Sequence, residues 1–285
     1  MHLTRHLTPH TFLARSQADL ERAEAENNLI LGISTRLRDR PDRTVASPYL
    51  ATVEDANGLA AAAVMTPPHR VIIYSARGEH PAPLRLILHD LLTGGWRVPG
   101  VVGPAAAGLT FAGLWRAATG QSFRLSRHER VYELRAVTPP PRPAGFMRLA
   151  VETDGELASE WSFCFWRELG VAGTGEDARA SAGPRIANRE LYLWDDGGPV
   201  SMAGKARPTA HGMAVSLVYT PPERRNRGYA SALVAALSQH LLDAGWQFCV
   251  LFTDLANPIS NSIYQRIGYR PVSDFDEYDF DHEPH

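Results

Sequence analysis

Four prolines in five residues, Pro139-Pro140-Pro141-Arg142-Pro143, stand almost at the midpoint of a chain of 285 residues. Proline fixes φ and removes a backbone donor, so this segment joins neither a helix interior nor a central strand. Such a run serves either as a polyproline ligand for a partner's groove or as a stiff spacer, and its place between two structured halves favours the spacer. The expected organisation is residues 1–138, a linker at 139–143, and residues 144–285. Two domains fit a chain of this length at roughly 100–200 residues each. With 44% hydrophobic and 21% charged residues, the composition excludes disorder, collagen and coiled coil, and either half can bury a core of its own.

A formal net charge of -2 argues against a general basic field, so no nucleic-acid partner is expected. No apolar run approaches the roughly 20 residues of a membrane span. Residues 1–16 mix His, Arg and Thr through the place of a signal core, so no membrane or secretory role is expected. Cys164 and Cys249 build neither a disulfide framework nor a zinc site. The reading is a cytoplasmic protein without a metal, as monomer or homodimer.

In the first half, a helix is expected over 16–38 with Ser16 as its cap, then extended runs at 49–54, 59–65 and 70–74. A helix at 84–92, a strand at 98–102, a helix at 105–118 and a strand pair over 123–137 follow. The second half repeats that order. It has a strand at 146–152, helices at 156–169 and 176–187, and a hairpin at 190–203 turned by Asp195-Asp196-Gly197-Gly198. A strand at 211–220, a helix at 227–244, a strand at 247–253, a helix at 258–267 and two strands at 269–272 and 276–280 complete it. The shared order raises an internal duplication as a hypothesis.

The most informative segment runs from Val218-Tyr219-Thr220 through Pro221-Pro222 to Arg224-Arg225-Asn226-Arg227-Gly228-Tyr229-Ala230-Ser231. A strand ends, prolines bar its continuation, and a helix begins. The first N–H groups of a helix lack internal partners, and its dipole makes that end positive. Gly228 and Ala230 keep the turn small, so an anion can approach the backbone, and Arg225 and Arg227 can add charge-assisted bonds. Cations at a helix N-terminus are unfavourable unless an anion neutralises them. An anion site is therefore favoured over a solvated basic cap. The turn alone does not name the anion, and it lacks the glycine patterns of nucleotide-binding loops.

Further on, Asn257 ends a strand and Tyr264 lies two helical turns later on a similar face. Asn257 is either a ligand-bonding group or an N-cap, and Tyr264 either a general acid or a core aromatic. Together, Arg225-Asn226-Arg227-Gly228-Tyr229-Ala230 and Asn257, Tyr264, Gly268 and Tyr269 resemble the GNAT-type N-acetyltransferase superfamily. The family pattern is Gln/Arg-x-x-Gly-x-Gly/Ala, then an asparagine after the next strand and a tyrosine seven residues on. The first half has no such turn, since Ser75-Ala76-Arg77-Gly78 runs on to a proline, and it looks like a degenerate copy.

The resemblance implies an α/β (α+β) fold of two tandem GNAT-like domains. Each would be a mixed, mostly antiparallel twisted sheet flanked by helices, with a splayed parallel strand pair in the C-terminal one. It implies acetyl-CoA as cosubstrate and an amine of a small molecule or protein as acceptor, joined by direct attack. Val218, Tyr219 and Thr220 would hold the thioester and pantetheine. Arg225, Asn226, Arg227, Gly228, Tyr229, Ala230 and Ser231 would hold the pyrophosphate. Asn257 and Ser260 would bond the pantetheine arm, and Tyr264 would protonate the thiolate. Asp254, Glu223, His211 and Glu277 stand as candidate bases. The acceptor site would form from Trp161, Phe163, Phe165 and Trp166 and a last hairpin bearing Asp274, Asp276, Glu277 and Tyr278. A non-catalytic acyl-CoA-binding or sensing module is the alternative.

Overall fold

A computed structural model of the chain describes residues 1–40, 47–78, 80–171 and 173–281. The first half runs β1 (His2–Arg5), α1 (Pro9–Leu20), α2 (Asn28–Asp39), β2 (Tyr49–Asp55), β3 (Gly58–Met65), β4 (Val71–Ser75), α3 (Pro81–Thr93), β5 (Gly100–Pro104), α4 (Ala105–Thr119) and β6 (Phe123–Leu134). The second runs β7 (Phe146–Leu149), α5 (Gly155–Glu168), α6 (Gly175–Ala187), β8 (Leu191–Asp195), β9 (Pro199–Ala206), β10 (Gly212–Tyr219), α7 (Tyr229–Asp243), β11 (Phe248–Asp254), α8 (Pro258–Ile267) and β12 (Arg270–Phe280). The order in which strands and helices succeed one another is the same in both halves.

Two local expectations are revised. The helix expected over 16–38 is two helices. Thr8 starts the first, its hydroxyl accepting from the N–H of Thr11 at 3.2 Å, with Pro9 at the first turn. Ser16 lies inside that helix and returns its hydroxyl to the Phe12 carbonyl at 2.8 Å. The paired strands expected at each half's end are single strands. Pro271 reads as a break in sequence, but the ladder shifts register between Pro271 and Ser273. A bulge there accommodates the missing N–H, and the strand runs on.

Those two long strands decide the architecture. The sheet is continuous, with twelve strands in the order β1-β2-β3-β4-β5-β12-β6-β11-β10-β9-β8-β7. The last strand of the chain pairs with β5 of the first half, and the last strand of the first half pairs with β11 of the second. Each half thus lends its final strand across the centre. The lent strands pair with each other, cemented by Arg130 to Asp274 at 2.6 Å and His128 to Asp276 at 2.5 Å. All pairings are antiparallel except β4 with β5 and β10 with β11.

Alternation along the strands sorts the helices into two layers. On β11, Phe248 and Val250 pack into the core of α1 and α2, whereas Cys249 and Leu251 pack into that of α7. On β8, Leu191 and Leu193 face α5 and α6, while Tyr192 and Trp194 face α7. α3 and α4 cover Tyr278 and Phe280 of β12. The proline segment lies between β6 and β7 without regular structure. It is pinned at both ends: the Thr138 N–H donates to the Ile267 carbonyl at 2.7 Å, and the Trp194 indole donates to the Ala144 carbonyl at 2.8 Å. Among the described residues, no helix is long and apolar enough to cross a membrane.

Candidate functional site: a parted strand pair and an uncapped helix

β10 and β11 pair only from Gly212 opposite Phe248 to Ala214 opposite Val250, and then they part. On its other side β10 loses register with β9 between Ser216 and Tyr219. The extra residue is accommodated by Leu217 in the left-handed region at φ 54°. A non-glycine residue there is strained by about 1–2 kcal/mol, the kind of backbone cost that functional sites hold. The bulge frees main-chain groups of Leu217 and Val218 from the β9 ladder beside the gap. Thr220 and the carbonyl of Tyr219 are held by the buried Ser201, whose hydroxyl lies 2.8 Å from the Thr220 hydroxyl and donates to that carbonyl at 3.1 Å. Ser201 carries no motif and went unnoticed in the sequence.

Beyond Thr220 the chain makes a single 3-10 turn, Pro222–Arg224. Arg225 is extended, and Asn226 and Gly228 are left-handed at φ 61° and 81°. Gly228 caps α7 without a side-chain bond, and the first intrahelical bond runs from the Ala232 N–H to the Gly228 carbonyl at 2.9 Å. The N–H groups of Tyr229, Ala230 and Ser231 therefore precede the ladder, and no acidic residue sits in that turn. A Cβ on Gly228 would meet nothing nearer than Pro143 Cδ at 4.0 Å. Glycine is needed there for its conformation and for the open approach it leaves. This is the backbone a phosphate fits.

The side chains of this segment divide. Arg227 is exposed. Arg225, expected to reach the anion, is turned toward α5: it donates to Glu168 at 2.5 Å and to the Thr220 carbonyl at 2.9 Å. Tyr219 is buried against Trp161, ring centroids 6.1 Å apart, and burial with the neighbouring Cys164 pushes its hydroxyl up to about 12. Tyr229 is buried too, donating to Asp196 at 2.6 Å. Both tyrosines offer the gap only their main chain.

On the far side of the gap, the exposed Asn257 caps α8, its Oδ1 accepting from the half-buried Ser260 N–H at 3.1 Å. Its amide Nδ2 is left for another acceptor. Tyr264 is buried, and its ring meets Tyr269 edge-on at 6.0 Å. Its hydroxyl makes no hydrogen bond among the described residues, and burial pushes its pKa up to about 12. Asn261, overlooked in the sequence, ties this corner together. Its amide donates to the carbonyls of Asp254 at 2.9 Å and Asn257 at 2.8 Å, and its oxygen accepts from Tyr132 of β6 at 3.1 Å.

The base candidates scatter. His211 immediately precedes β10, at the end away from the gap, and is held by Glu24, which accepts from its Nδ1 at 2.8 Å and its N–H at 2.7 Å. Glu223 is exposed, Asp254 accepts from the Ala256 N–H at 2.7 Å, and Glu277 pairs with Arg70 at 3.1 Å. Glu129 of β6 was missed. It stands opposite Asp254, and burial reinforced by Glu277 raises its carboxyl to about 7. The acceptor expectations change as well. Trp161 lies in the core of α5 and α6, with Phe165 packed against it, Phe163 sits under Arg167 at 5.9 Å, and Trp166 packs against Gly173. Asp274, Asp276 and Tyr278 lie on one central strand rather than a hairpin; Asp276 accepts from the Tyr278 hydroxyl at 2.9 Å, and Asp274 is paired with Arg130.

The first half lacks the bulge and the glycine-led helix start, although its own parallel pair is short, with β4 and β5 joined only at Val71 opposite Val101 and Ile72 opposite Val102. β3 and β4 keep register from Ala61 opposite Ser75 to Val64 opposite Ile72. A Cβ on Gly103 of β5 would lie 2.9 Å from the Ile73 carbonyl oxygen, so the two backbones remain close where their pairing ends. α3 opens with Pro81 and carries Pro83, and neither has an N–H to offer an anion.

Residues 197–278 match the family described as FR47-like protein. No curated protein matches the sequence. Among solved structures, a Drosophila protein from a structural genomics programme superposes with a TM-score of 0.71 at 11% identity, covering 98% of each chain. A GCN5-related N-acetyltransferase from Sphaerobacter thermophilus gives 0.62 at 17% identity, over 98% of this chain and 95% of that one. A tandem GNAT protein from the clavulanic acid biosynthesis pathway gives 0.59 at 11% identity, over 100% and 99%. The likeness is one of fold. The chain has the GNAT acetyltransferase fold, in tandem along its whole length, as the two motifs implied.

Proposed function

From this tandem GNAT fold, we propose that the chain is an acetyl-CoA-dependent N-acetyltransferase that moves an acetyl group to a primary amine by direct attack in a ternary complex. The second half, 144–285, holds the cosubstrate, and the first half, 1–138, is a degenerate copy. The observation that carries the reading is the pairing of the Leu217 bulge, beside the parting of β10 and β11, with the uncapped start of α7 at Gly228. A thioester needs an N–H where its carbonyl oxygen becomes negative, and a pyrophosphate needs several N–H groups at a positive helix end. Here both stand in series along one turn.

The backbone of Val218 and Thr220 holds the thioester and pantetheine, Asn226 to Ser231 hold the pyrophosphate, and Arg227 adds its charge. The Asn257 amide bonds the pantetheine arm. Tyr264, a phenol protonated at neutral pH and held more firmly so by burial, gives its proton to the departing thiolate. Most of the rate comes from positioning and charge stabilisation.

Calorimetry with acetyl-CoA, followed by thiol release over a panel of amines, tests this. Saturation at about 100 times Kd stabilises the fold by about 2.7 kcal/mol. A melt that shifts with ATP and not with acetyl-CoA overturns the reading. Binding without thiol release for any amine leaves an acyl-CoA sensor in its place.

A further inference from the structure

On the face of the sheet opposite α7, a seam runs between the halves, and none of the roles above uses it. Two glycines set its fit. A Cβ on Gly32 of α2 would stand 2.5 Å from the Cβ of Arg207, so the first half's helix meets the β9–β10 loop at its backbone. A Cβ on Gly204 of β9 would stand 3.6 Å from Nη1 of Arg185, so that guanidinium from α6 lies directly over the strand.

Neither arginine has a carboxylate within ion-pair distance among the described residues. Arg185 donates to the Ser181 hydroxyl at 3.4 Å. Arg207 donates to Asn28 Oδ1 at 3.3 Å and stands over the Phe252 ring at 5.4 Å. Burial lowers the pKa of both, Arg207 to about 10; Glu190 opposes the fall at Arg185 and Glu129 at Arg207, while Arg36 of α2 deepens it at both and Arg185 deepens it at Arg207. Both side chains are half-buried; a guanidinium drawn partly out of water without an anion beside it is under-compensated, and its planar fork matches a carboxylate. Two more polar groups are buried there without a partner, the Ser216 hydroxyl and the Asn188 amide nitrogen. Ser216 pairs with Gly204 beneath Arg185 and is the residue before the Leu217 bulge.

The charge reverses toward β6. Glu129 lies opposite Asp254, with Arg127 3.8 Å away. Burial, Glu277 and Asp254 raise its carboxyl, against Arg127 and Arg207. The seam thus has a cationic end on β9 and an acidic end on β6. Ser216 and Phe252 flank the gap between β10 and β11 that lies between those ends.

We propose that this seam is the acceptor pocket and that the acceptor is a small aminocarboxylate, its carboxylate taken by Arg185 and Arg207 and its ammonium by Glu129. The proposal rests on the acetyltransferase reading above. The ammonium gives one proton to Glu129, and the amine nitrogen attacks the thioester carbonyl carbon. The C–S bond breaks as the C–N bond stays, the thiolate takes the Tyr264 proton, and the nitrogen's second proton restores the tyrosine. The first half thereby gains a function despite lacking the cofactor turn, because α2 and β6 are two walls of the pocket.

The test compares thiol release from acetyl-CoA with amino acids and with their decarboxylated partners: L-lysine and cadaverine, L-histidine and histamine, L-phenylalanine and phenethylamine, L-leucine and isoamylamine. Acetyl-CoA binding is measured first by calorimetry, and its failure retires the transferase reading rather than the pocket alone. With binding intact, at least one amino acid should exceed its partner about tenfold or more in kcat/KM. Arg207→Gln should erase that preference with the acetyl-CoA Kd unchanged. Arg185→Gln is the second variant, in case the loop does not tolerate the first. Partners accepted equally or better, a preference that survives both variants, or acetyl-CoA binding with no member of either set accepted overturns the proposal.

Discussion

Replacing Tyr264 by phenylalanine separates the proposed acid from the scaffold that holds it. The ring stays, buried and edge-on to Tyr269. The hydroxyl that leaves has no hydrogen-bond partner among the described residues. The hydroxyl oxygen is not one of the fully enclosed polar atoms, so it keeps access to water, and its removal should change stability by no more than about 0.5 kcal/mol. The alkaline limb gives a second number. The folded pKa of Tyr264 is about 12 against an ordinary 10. A raised folded pKa means stability that is complete below the unfolded value and lost as pH rises through the folded one. From pH 10 upward, Tyr264 therefore contributes a decline of about 1.4 kcal/mol per pH unit that the phenylalanine variant lacks. Turnover should fall about 100-fold or more, the usual worth of a positioned acid, with the acetyl-CoA Kd unchanged. Urea melts at neutral and alkaline pH, calorimetry and thiol release read the three quantities. Unchanged turnover removes Tyr264 from the acid role. A neutral-pH loss above about 1 kcal/mol refutes the unpartnered hydroxyl.

Three other perturbations are informative. Gly228→Glu places bulk and negative charge at the start of α7 and should abolish acetyl-CoA binding in calorimetry; a variant that binds normally moves the site elsewhere. Gly228→Ala meets no steric obstacle, yet a φ of 81° should cost about 1 kcal/mol in a urea melt. Glu24→Gln weakens the clasp on His211 and Gly212 and should cost about 1–3 kcal/mol at pH 7. Hydrogen bonds to Thr209 and His211 outweigh burial and hold the Glu24 carboxyl below its ordinary value. Its contribution is therefore present above that value and lost as pH falls through the folded one, and acid melts of the variant should lack this loss. Residues 1–140 and 141–285 expressed as separate chains should co-purify when made together, because β6 and β12 are exchanged; two halves that fold and elute independently would contradict the exchange.

What was legible in the sequence was local. The turn from Thr220 to Ser231 declares itself because prolines, a left-handed glycine and an uncapped helix start are each written in residue types. Asn257 and Tyr264 declare themselves by spacing. The exchange of strands was not legible, because β6 and β12 read as ordinary ends of their own halves, and strand partners at that separation leave no mark in either segment. Glu129 was lost with it. On a strand assigned to the first half it looks like one of several alternating charges, and only its pairing with Asp254 brings it beside the gap. The same holds for Arg207, whose burial depends on Gly32 of a helix far away in sequence. The partner of Arg225 was not legible for a different reason: a basic residue in a turn has many partners within reach, and here Glu168 of α5 accepts from it.

The exchange also explains why a half without the glycine-led turn keeps its fold. Strand β6 covers β11 from Cys249 to Asp254, and it brings Val131, Tyr132 and Leu134, all fully buried. Burying three such side chains is worth roughly 5–9 kcal/mol, comparable with the whole stability of a domain at about 5–15 kcal/mol. Without β6, the strand that lines the proposed thioester gap becomes an open edge, which invites aggregation. The debt is mutual, since β12 supplies Tyr278 and Phe280 to the first half's core. Mutations that unfold the first half should therefore abolish acetyl-CoA binding in the second without touching any residue of the turn. For that reason, loss of activity alone does not identify a residue of the first half as part of the acceptor pocket. Only a change in acceptor preference with the acetyl-CoA Kd intact separates a pocket wall such as α2 from the sheet that carries it.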